Sequence, residues 1–385
     1  MSLDIGGTER HLSLIAPRLR DLGWRPVIFC LWRRGDLATA LETAGIEIVG
    51  GRATVRPDKR WWCDMHHIAL SWAQLIILTL RHRPKVMHFF LPLAYMLGAP
   101  ISILLRVPVR LMSRRSLNIY QGGHSMIWKI EKRLHASMTA ILANSTPVAR
   151  ELIEEEGCPP GKVGIIYSGT DLTAITSEQR PSLDVMGLAP AQFTMITVAN
   201  LIPYKGHADL LNALSQIASN LPESWRLLCV GRDDGCGQSL HEQALELGLS
   251  ANVLWLGERD DVPRLLKLAD IGVLSSHQEG FSNSVIEGLA AGLPMVVTDV
   301  GGNAEAVIDG ETGLVVPPRD SAALGRALLQ LALDPDARKK MSEAASDRAK
   351  NNFSIDGCVN QYDRLYRALI ANKTLEAVDG LGFIG

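Results

Sequence analysis

The stretch IGVLSSHQEGFSNSVIEGLAAGLPMVVTDV, residues 271–300, contains one complete unit of the expected fold. Residues 271–276 and 295–300 each begin with a short run of consecutive apolar residues, which is typical of strands that are buried on both faces. The segment between them begins with the helix-capping types at 282–284 and ends before Pro294. A strand, a helix and a second strand in this order predict a parallel βαβ unit.

The same alternation continues through most of the chain. Further strand candidates lie at 193–200, 225–231, 252–257 and 313–317, and helices are expected to begin near Gly206, Gln238, Asp261, Ala304 and Ser321. The first half repeats the scheme with strand candidates at 25–31, 46–50, 86–90, 109–113, 140–145 and 163–169. We therefore expect an α/β protein with two doubly wound domains joined by a polar connector within 176–192.

The opening of the chain departs from this regularity. Residues 1–12, MSLDIGGTERHL, place a Gly-Gly turn before an amphipathic helix, and such a turn normally follows a strand. The first strand of a doubly wound domain lies in the middle of its sheet, so its loss would expose an unpaired edge. We expect the first strand of the N-terminal domain to be missing; either the true start lies upstream or this domain is compromised.

Length and composition favour a soluble two-domain protein. The 385 residues exceed the usual size of a single core, and 47% of them are hydrophobic. The six cysteines are scattered without a Cys-x-x-Cys or Cys/His pattern, which favours a reducing, cytoplasmic compartment over a disulfide framework or a zinc site. The apolar runs are far shorter than the roughly 20 residues of a membrane helix, and no signal sequence opens the chain.

Charge is distributed unevenly along the chain. Residues 1–150 contain 21 Lys and Arg against 9 Asp and Glu, whereas the remainder contains 18 against 32. The basic half suits an anionic partner, and two partners stay open: a phosphate-bearing substrate, or peripheral contact at the inner face of a membrane. Ordinary surface arginines are the alternative explanation. We expect no nucleic-acid partner.

Two glutamates point to a ligand site in the second half. Glu279 follows a strand and Glu287 lies inside the next helix, whose start would direct backbone amides and the positive end of its dipole at a ligand. Ligands of doubly wound sheets bind at the carboxyl ends of the strands. This arrangement predicts a phosphate site flanked by two carboxylates that can accept hydrogen bonds from sugar hydroxyls. Two acidic residues on a surface helix are the simpler alternative.

Five motifs in order resemble those of the retaining glycosyltransferases with the GT-B fold, in particular family 4, over nearly the whole chain. They are the E-x7-E pair, GGTERH at the start, VANLIPYKGH (198–207), LGERDDVPRLLKLADIGVLSS (256–276) and the segment 287–320. The resemblance implies two Rossmann-like domains facing a central cleft, over 1–178 and 179–352. It also implies a helix within 353–372 that crosses back to the first domain, followed by a tail over 373–385. Tyr362, Leu365, Tyr366 and Leu369 in that helix have the spacing of a packed face.

The resemblance also implies roles for individual residues. Glu287 would hold the ribose of the donor, Glu279 would contact the donor sugar, and Lys205 would neutralise the leaving diphosphate. The other residues expected to bind the donor are Gly6, Gly7, Asn200, Arg232, Gly280, Phe281, Ser282, Asn283 and Ser284. Family members commonly carry an arginine at the position of Asn200, so Arg232 or Arg259 is expected to supply that charge here.

The acceptor side matches the family less well. Many relatives have a histidine after the strand at 109–113, where this chain has Ser113, Arg114 and Arg115. We take both arginines, together with His88 and His124, as candidates to line the acceptor side, with a structural role as the alternative for each histidine.

The activity implied is retaining transfer of a hexose-type sugar from a UDP- or GDP-linked donor to a glycan or lipid-linked acceptor. The nucleotide sugar is a substrate, and no metal or cofactor is expected, because a helix N-terminus and Lys205 can stabilise the departing diphosphate. Proton transfer to the leaving phosphate on the same face of the sugar is favoured, while a covalent role of Glu279 stays open. The alternative hypotheses are a non-catalytic or truncated nucleotide-sugar-binding protein, or a GT-B epimerase or phosphorylase. A nicotinamide dehydrogenase would need a G-x-G-x-x-G motif that the chain lacks.

Overall fold

The structure, a computed structural model, describes residues 3–4, 6–51, 61–117, 125–177 and 193–383. The chain divides into two compact units. Unit 1 consists of Met1–Gly169 together with Ile355–Gly385, and unit 2 is the continuous segment Thr170–Ser354. Each unit is an α/β structure whose strand pairs are parallel, which confirms the predicted fold class.

Unit 1 places six strands between helices. The strands are β1 (Val27–Cys30), β2 (Glu47–Gly50), β3 (Val86–Phe89), β4 (Val109–Arg114), β5 (Ala140–Ala143) and β6 (Val163–Ile165). The helices are α1 (Gly7–Asp21), α2 (Ala38–Thr43), α3 (Trp61–His82), α4 (Pro92–Leu104), α5 (Ser125–His135) and α6 (Thr146–Glu154). Every strand coincides with a predicted segment, because these runs of β-branched and other apolar residues fit a sheet that helices cover.

The strands of unit 1 form two separate sheets. One contains β1 and β2, and the other has the order β3-β4-β5-β6. Among the described residues no strand precedes α1, so β1 and β3 each keep one edge that pairs with no described strand. A doubly wound sheet that lacks its central strand would be interrupted at this place.

Unit 2 contains one six-stranded parallel sheet in the order β12-β11-β10-β7-β8-β9. Its strands are β7 (Phe193–Val198), β8 (Trp225–Val230), β9 (Val253–Gly257), β10 (Ile271–Leu274), β11 (Met295–Thr298) and β12 (Gly313–Val316). Its helices are α7 (Leu172–Thr176), α8 (His207–Ile217), α9 (Gly237–Glu246), α10 (Val262–Leu268), α11 (Asn283–Ala290), α12 (Asn303–Ala306), α13 (Ser321–Leu333) and α14 (Pro335–Asn352). Strands β8, β10 and β11 are buried at every residue, as expected for central strands with helices on both faces.

The last long helix, α15 (Ile355–Ile370), belongs to unit 1. It packs against α1, and its buried residues include Tyr362, Leu365, Tyr366 and Leu369, which confirms the predicted packed face. After α15, Gly382 forms an isolated antiparallel bridge with Ile165, so part of the segment expected to be a tail also contacts unit 1.

In the part of the chain that the structure describes, no helix combines the length and the apolar character needed to span a bilayer.

Candidate active site

Lys205 and Glu279 lie together at the carboxyl edge of the unit 2 sheet. Lys205 ends a short 3-10 turn after β7, and Glu279 lies in the loop after β10, which pairs with β7. Because neighbouring parallel strands end at the same edge, the two loops are adjacent. The Lys205 Nζ atom is 2.5 Å from Glu279 Oε1, and both side chains are largely buried. Ser276, which the sequence analysis did not single out, donates its hydroxyl to the same oxygen at 2.8 Å.

Backbone contacts fix the loop that carries Lys205. Gly206 adopts a left-handed conformation with φ of +70°, and a Cβ atom at this position would lie 2.0 Å from the carbonyl oxygen of Ser275. The Ser275 hydroxyl donates to the Gly206 carbonyl at 2.9 Å. This close approach requires glycine, and it explains why Lys205 is followed by Gly206.

A second glycine fixes the loop that carries Glu279. Gly301 follows β11 with φ of +52°, and an added Cβ would lie 2.0 Å from the Glu279 carbonyl oxygen. The amide of Gly302 donates to the carbonyl of Gly280 at 2.8 Å. The loops after β7, β10 and β11 therefore hold one another in place at the carboxyl edge of the sheet.

Helix α11 starts directly after this loop. Its N-cap residue, Ser282, has an extended backbone, but its hydroxyl bonds the Ser284 hydroxyl at 3.0 Å and does not cap a helix amide. Phe281 packs on Phe353 with ring centroids 5.4 Å apart, which anchors the chain just before the helix. The positive end of the α11 dipole thus lies within the same short segment as Glu279, and Glu287 is buried one turn further along.

Asn200 and Arg232 are neighbours at the carboxyl ends of β7 and β8. The Asn200 side chain accepts a hydrogen bond from the Arg232 backbone amide at 3.3 Å and donates to Asp234 at 3.0 Å. The Arg232 guanidinium pairs with Asp234 at 2.7 Å and is about half exposed. The hydrogen bond from Arg232 lowers the pKa of Asp234. Arg259 is instead paired with Asp261 at 2.7 Å, so of the two expected cations it is Arg232 that adjoins Asn200.

A cavity of about 430 Å³ opens at the ends of β8 and β9. Its lining includes Leu201, Gly231, Asp233, His241, Trp255 and Gly257. This cavity was not among the sites predicted from the sequence. The available signal was glycine at the end of two neighbouring strands, since Gly231 follows β8 and Gly257 ends β9.

Gly6 and Gly7 begin the first helix of unit 1. Gly6 is the N-cap of α1, and a Cβ atom there would lie 2.5 Å from a carboxylate oxygen of Glu9. Burial raises the pKa of Glu9. Small residues at this helix start leave the backbone accessible, as the predicted donor contact requires, but that contact stays a prediction.

His88, at the carboxyl end of β3, is part of a buried polar network. Its Nδ1 atom is 2.7 Å from the Tyr366 hydroxyl, and its Nε2 atom is 2.8 Å from the Ser113 hydroxyl. Burial, followed by the charge of Arg115, lowers the pKa of His88 to about 3. Both ring nitrogens are engaged within the fold, which favours the structural role for His88. The other histidine candidate, His124, lies outside the described residues.

The expectation that Arg114 faces an acceptor is wrong. Its side chain is only 2% exposed and donates to Glu131 at 2.7 Å and to Glu156 at 2.9 Å. Glu131 lies in α5 and Glu156 lies just after α6, so the Arg114 side chain points into the interior of unit 1. Arg115, the next residue, is half-buried and donates to the Ser168 hydroxyl at 2.8 Å.

The carboxylates around Arg114 also meet a histidine. His135 Nε2 lies 2.7 Å from Glu156, and His135 Nδ1 lies 3.0 Å from the Tyr95 hydroxyl. Ligand-type atoms of Glu131, His135 and Glu156 come within 4.8 Å of one another. Because the Arg114 guanidinium already contacts both carboxylates, we regard this cluster as a buried ion-pair network and assign it no metal.

Comparison with known proteins places this geometry in context. A family model described as Glycosyltransferase Family 4 matches residues 5–174, and one described as Glycosyl transferases group 1 matches residues 180–348. A D-inositol 3-phosphate glycosyltransferase of Rhodococcus jostii is 29% identical over 243 residues, 60% of this chain and 54% of that protein. The match therefore spans about half the length of that curated relative.

Solved structures resemble the chain over almost its full length. HepE of Anabaena, crystallised with UDP, has a TM-score of 0.81 at 22% identity, covering 94% of this chain and 96% of that one. A structure of the same protein contains UDP-glucose. A glycosyltransferase of Rickettsia africae has a TM-score of 0.80 at 20% identity, covering 97% and 98% of the two chains. At these identities the likeness shows the fold, which is GT-B.

Proposed function

Because the chain belongs to the family 4 glycosyltransferases, we propose that it transfers a hexose-type sugar from a nucleoside-diphosphate sugar to a glycan or lipid-linked acceptor. A uridine nucleotide is favoured as the donor, since HepE of Anabaena, which has the same fold, was crystallised with UDP and with UDP-glucose. The guanosine nucleotide expected as an alternative is kept as a second donor to test.

The observation that carries this proposal is the contact between Lys205 and Glu279 beside the start of α11. A cation and a helix N-terminus at one point suit a diphosphate, which carries negative charge and gains more as the glycosidic bond breaks. A carboxylate in the same place suits sugar hydroxyls. A donor bound here would draw Lys205 to its phosphates and leave Glu279 for the sugar.

Residues near the Lys205–Glu279 pair would bind the rest of the donor. Glu287 is assigned to the ribose, and the backbone of Gly280, Phe281, Ser282, Asn283 and Ser284 to the distal phosphate. Arg232, held beside Asn200, is assigned the charge that relatives take from an arginine at position 200. The donor contacts of Gly6 and Gly7 in unit 1 belong to the same proposal.

We propose that transfer retains the anomeric configuration. In the favoured route the leaving phosphate accepts the proton of the acceptor hydroxyl on the face from which it departs, and Lys205 and α11 stabilise its charge. No divalent cation is required by this route, because protein groups supply the positive charge. The covalent route through Glu279 is the competing mechanism.

A phosphate-bearing acceptor is favoured for two reasons. The curated relative from Rhodococcus jostii is named for an inositol phosphate, and residues 1–150 of this chain are strongly basic. Arg115, at the carboxyl end of β4, is the described cation assigned to that side. A free sugar phosphate and a lipid-linked sugar pyrophosphate share this chemistry.

The test uses the full chain with UDP- and GDP-sugars. Thermal stabilisation identifies the donor, and mass spectrometry then detects transfer to phosphorylated acceptors, with and without EDTA. Proton NMR of the product assigns the anomer. Stabilisation by a nucleotide sugar, with neither transfer nor donor hydrolysis, would contradict the proposed transferase activity and would favour a nucleotide-sugar-binding protein. A product with inverted anomeric configuration would contradict the retaining mechanism. Loss of transfer in EDTA would contradict metal independence.

A further inference from the structure

An exposed apolar stripe follows the C-terminal half of α3. Leu70, Ile77 and Leu80 are 48%, 64% and 58% exposed, and Ala73 between them is exposed as well. Their spacing of i, i+3, i+7 and i+10 places them on one side of the helix. The opposite side is formed by Ser71, Leu75 and Thr79, which are buried. Helix α3 therefore packs one face into unit 1 and leaves a second apolar face without a described neighbour.

The stripe continues onto the next helix. Helix α4 packs beside α3, and its last residue, Leu104, is 74% exposed. Both helices lead into adjacent parallel strands, β3 and β4, so their C-terminal ends meet at the amino edge of the sheet. The carboxyl edge, where the acceptor-side candidates His88 and Arg115 lie, is at the other end of the same strands.

Cations lie at the C-terminal ends of both helices. Arg81, Arg83, Lys85 and Arg106 are all exposed, and none of the four makes an ion pair within the described residues. Arg83 and Arg106 follow α3 and α4 in the left-handed conformation, with φ of 45° and 50°. Glycine is the usual residue in that conformation after a helix. Here each helix instead ends with an exposed guanidinium.

Acidic residues are absent from this region of the sequence. From residue 65 to residue 130 the chain contains eight Lys and Arg and no Asp or Glu. At the C-terminal end of α3, His82 lies 3.6 Å from Glu47, which also pairs with Arg25 at 3.2 Å. The C-terminal ends of α3 and α4 therefore combine exposed apolar side chains with exposed cations, and residues 65–130 contribute no carboxylate to them.

We propose that Leu70, Ile77, Leu80 and Leu104, with Arg81, Arg83, Lys85 and Arg106, form a docking surface for an anionic membrane. Apolar side chains on a helix lying in the interface, flanked by lysine and arginine, are what a bilayer with negative headgroups binds. The absence of carboxylates from residues 65–130 favours an anionic bilayer over a protein partner, because a contact with another protein does not require it. In this orientation α3 lies along the bilayer and the carboxyl edge of the unit 1 sheet stays free.

Two double variants of the full chain test the surface. Ile77→Ser with Leu80→Ser removes apolar area, and Arg83→Gly with Arg106→Gly removes two charges while suiting the left-handed backbone. Matched controls lie in unit 2: Leu245→Ser, at a side chain that is 70% exposed, and Arg319→Gly, at an exposed arginine with φ of 61°. Binding is measured by co-sedimentation with vesicles of phosphatidylcholine, with or without phosphatidylglycerol.

We expect the wild type to bind the anionic vesicles and to be released by high salt. The arginine pair should weaken binding about 30-fold, and the apolar pair about 10-fold or more. Both controls should bind like the wild type. Absence of wild-type binding, or an equal loss in the controls, would overturn the proposal. So would a dimeric wild type that Ile77→Ser with Leu80→Ser converts to a monomer, since the face would then join two copies.

The same samples separate this inference from the proposed function. The four membrane-surface substitutions should leave thermal stabilisation by the donor unchanged. Lys205→Ala should lose that stabilisation and keep vesicle binding. Failure of donor binding in the wild type would therefore refute the transferase without affecting the docking surface.

Discussion

The ammonium group of Lys205 lies 2.5 Å from the carboxylate of Glu279, although 74 positions separate the two residues in the chain. Each neutralises the other in the absence of a donor, and each is assigned a different part of the donor when one binds. Their contact therefore contributes both to the stability of the loops after β7 and β10 and to the proposed binding of the donor.

Removing either member of this pair should strongly slow transfer without unfolding the protein. We expect Lys205→Ala and Glu279→Gln each to lower kcat by about 10²- to 10³-fold, because each removes a group that acts on the departing diphosphate or the sugar. Each single variant also leaves its partner uncompensated in a largely buried site, so the melting temperature should fall. The double variant should recover stability and stay inactive. Lys339→Ala, at an exposed lysine of α14, is the control; near-normal turnover in either single variant would contradict the assignment.

Arg232 should matter for donor affinity more than for turnover. We expect Arg232→Gln to raise the KM for the nucleotide sugar about 10-fold, because one charge-assisted hydrogen bond to phosphate is worth roughly 1.5 kcal/mol. Arg259→Gln, which removes an arginine of similar exposure that is also paired with an aspartate, should leave KM unchanged. Initial-rate kinetics with the donor as the varied substrate measure both. Equal effects of the two substitutions would argue against a specific role of Arg232.

Substitution by alanine should destabilise the protein to different extents at two glycines with similar backbone angles, Gly301 and Gly310. Gly301→Ala forces a Cβ against the Glu279 carbonyl and should cost about 3 kcal/mol or more in the free energy of unfolding, together with transfer activity. Gly310→Ala, at φ of +74° with open space around the new atom, should cost only about 1–2 kcal/mol for the left-handed conformation. Urea unfolding of the two variants gives the comparison, and matching losses would mean that the close approach to Glu279 is unimportant.

Substitution of Arg114 should mainly affect stability, whereas substitution of Arg115 should mainly affect acceptor binding. Arg114→Met leaves Glu131 and Glu156 buried without their cation and should destabilise unit 1 by about 3–5 kcal/mol. Arg115→Gln removes a half-buried group that bonds a hydroxyl, so its effect on unfolding should be about 1 kcal/mol, with a larger effect on the KM of the acceptor. Chemical unfolding and acceptor kinetics test both. An Arg114→Met protein of normal stability would contradict the ion-pair interpretation.

Two histidines of unit 1, His11 and His88, should make stability depend on pH. Burial lowers the pKa of His88 to about 3 and also lowers that of His11, whereas their ordinary value is 6.5. Below pH 6.5 the unfolded chain takes up protons that the folded chain does not, so stability is fully present above this pH. It should be lost as the pH falls toward 3, at up to about 1.4 kcal/mol per pH unit for each histidine. Between pH 7 and 5 His88→Gln should show a shallower loss than the wild type, and equal slopes would contradict the burial argument.

The sequence by itself determined the local structure of this protein. Continuous apolar runs such as 295–300 predict buried parallel strands, and the capping residues at 282–284 predict the start of α11, because these signals depend on neighbours within a few positions. The helix start expected near Gly206 was predicted in the same way, and α8 begins at His207. The packed face of α15 followed from its helical spacing for the same reason.

Only the tertiary structure decided which side chains meet. Arg114 and Arg115 are adjacent in sequence, yet Arg114, the last residue of β4, is buried between two glutamates, whereas Arg115, which follows the strand, bonds Ser168. The two side chains differ because their partners come from segments that are distant in the sequence. Apolar residues of α3 differ in exposure, since Leu75 is buried whereas Ile77 and Leu80 are exposed, and burial depends on what packs against each side of a helix. Contacts such as Lys205 with Glu279 arise from strand order in the sheet, and no local pattern encodes that order.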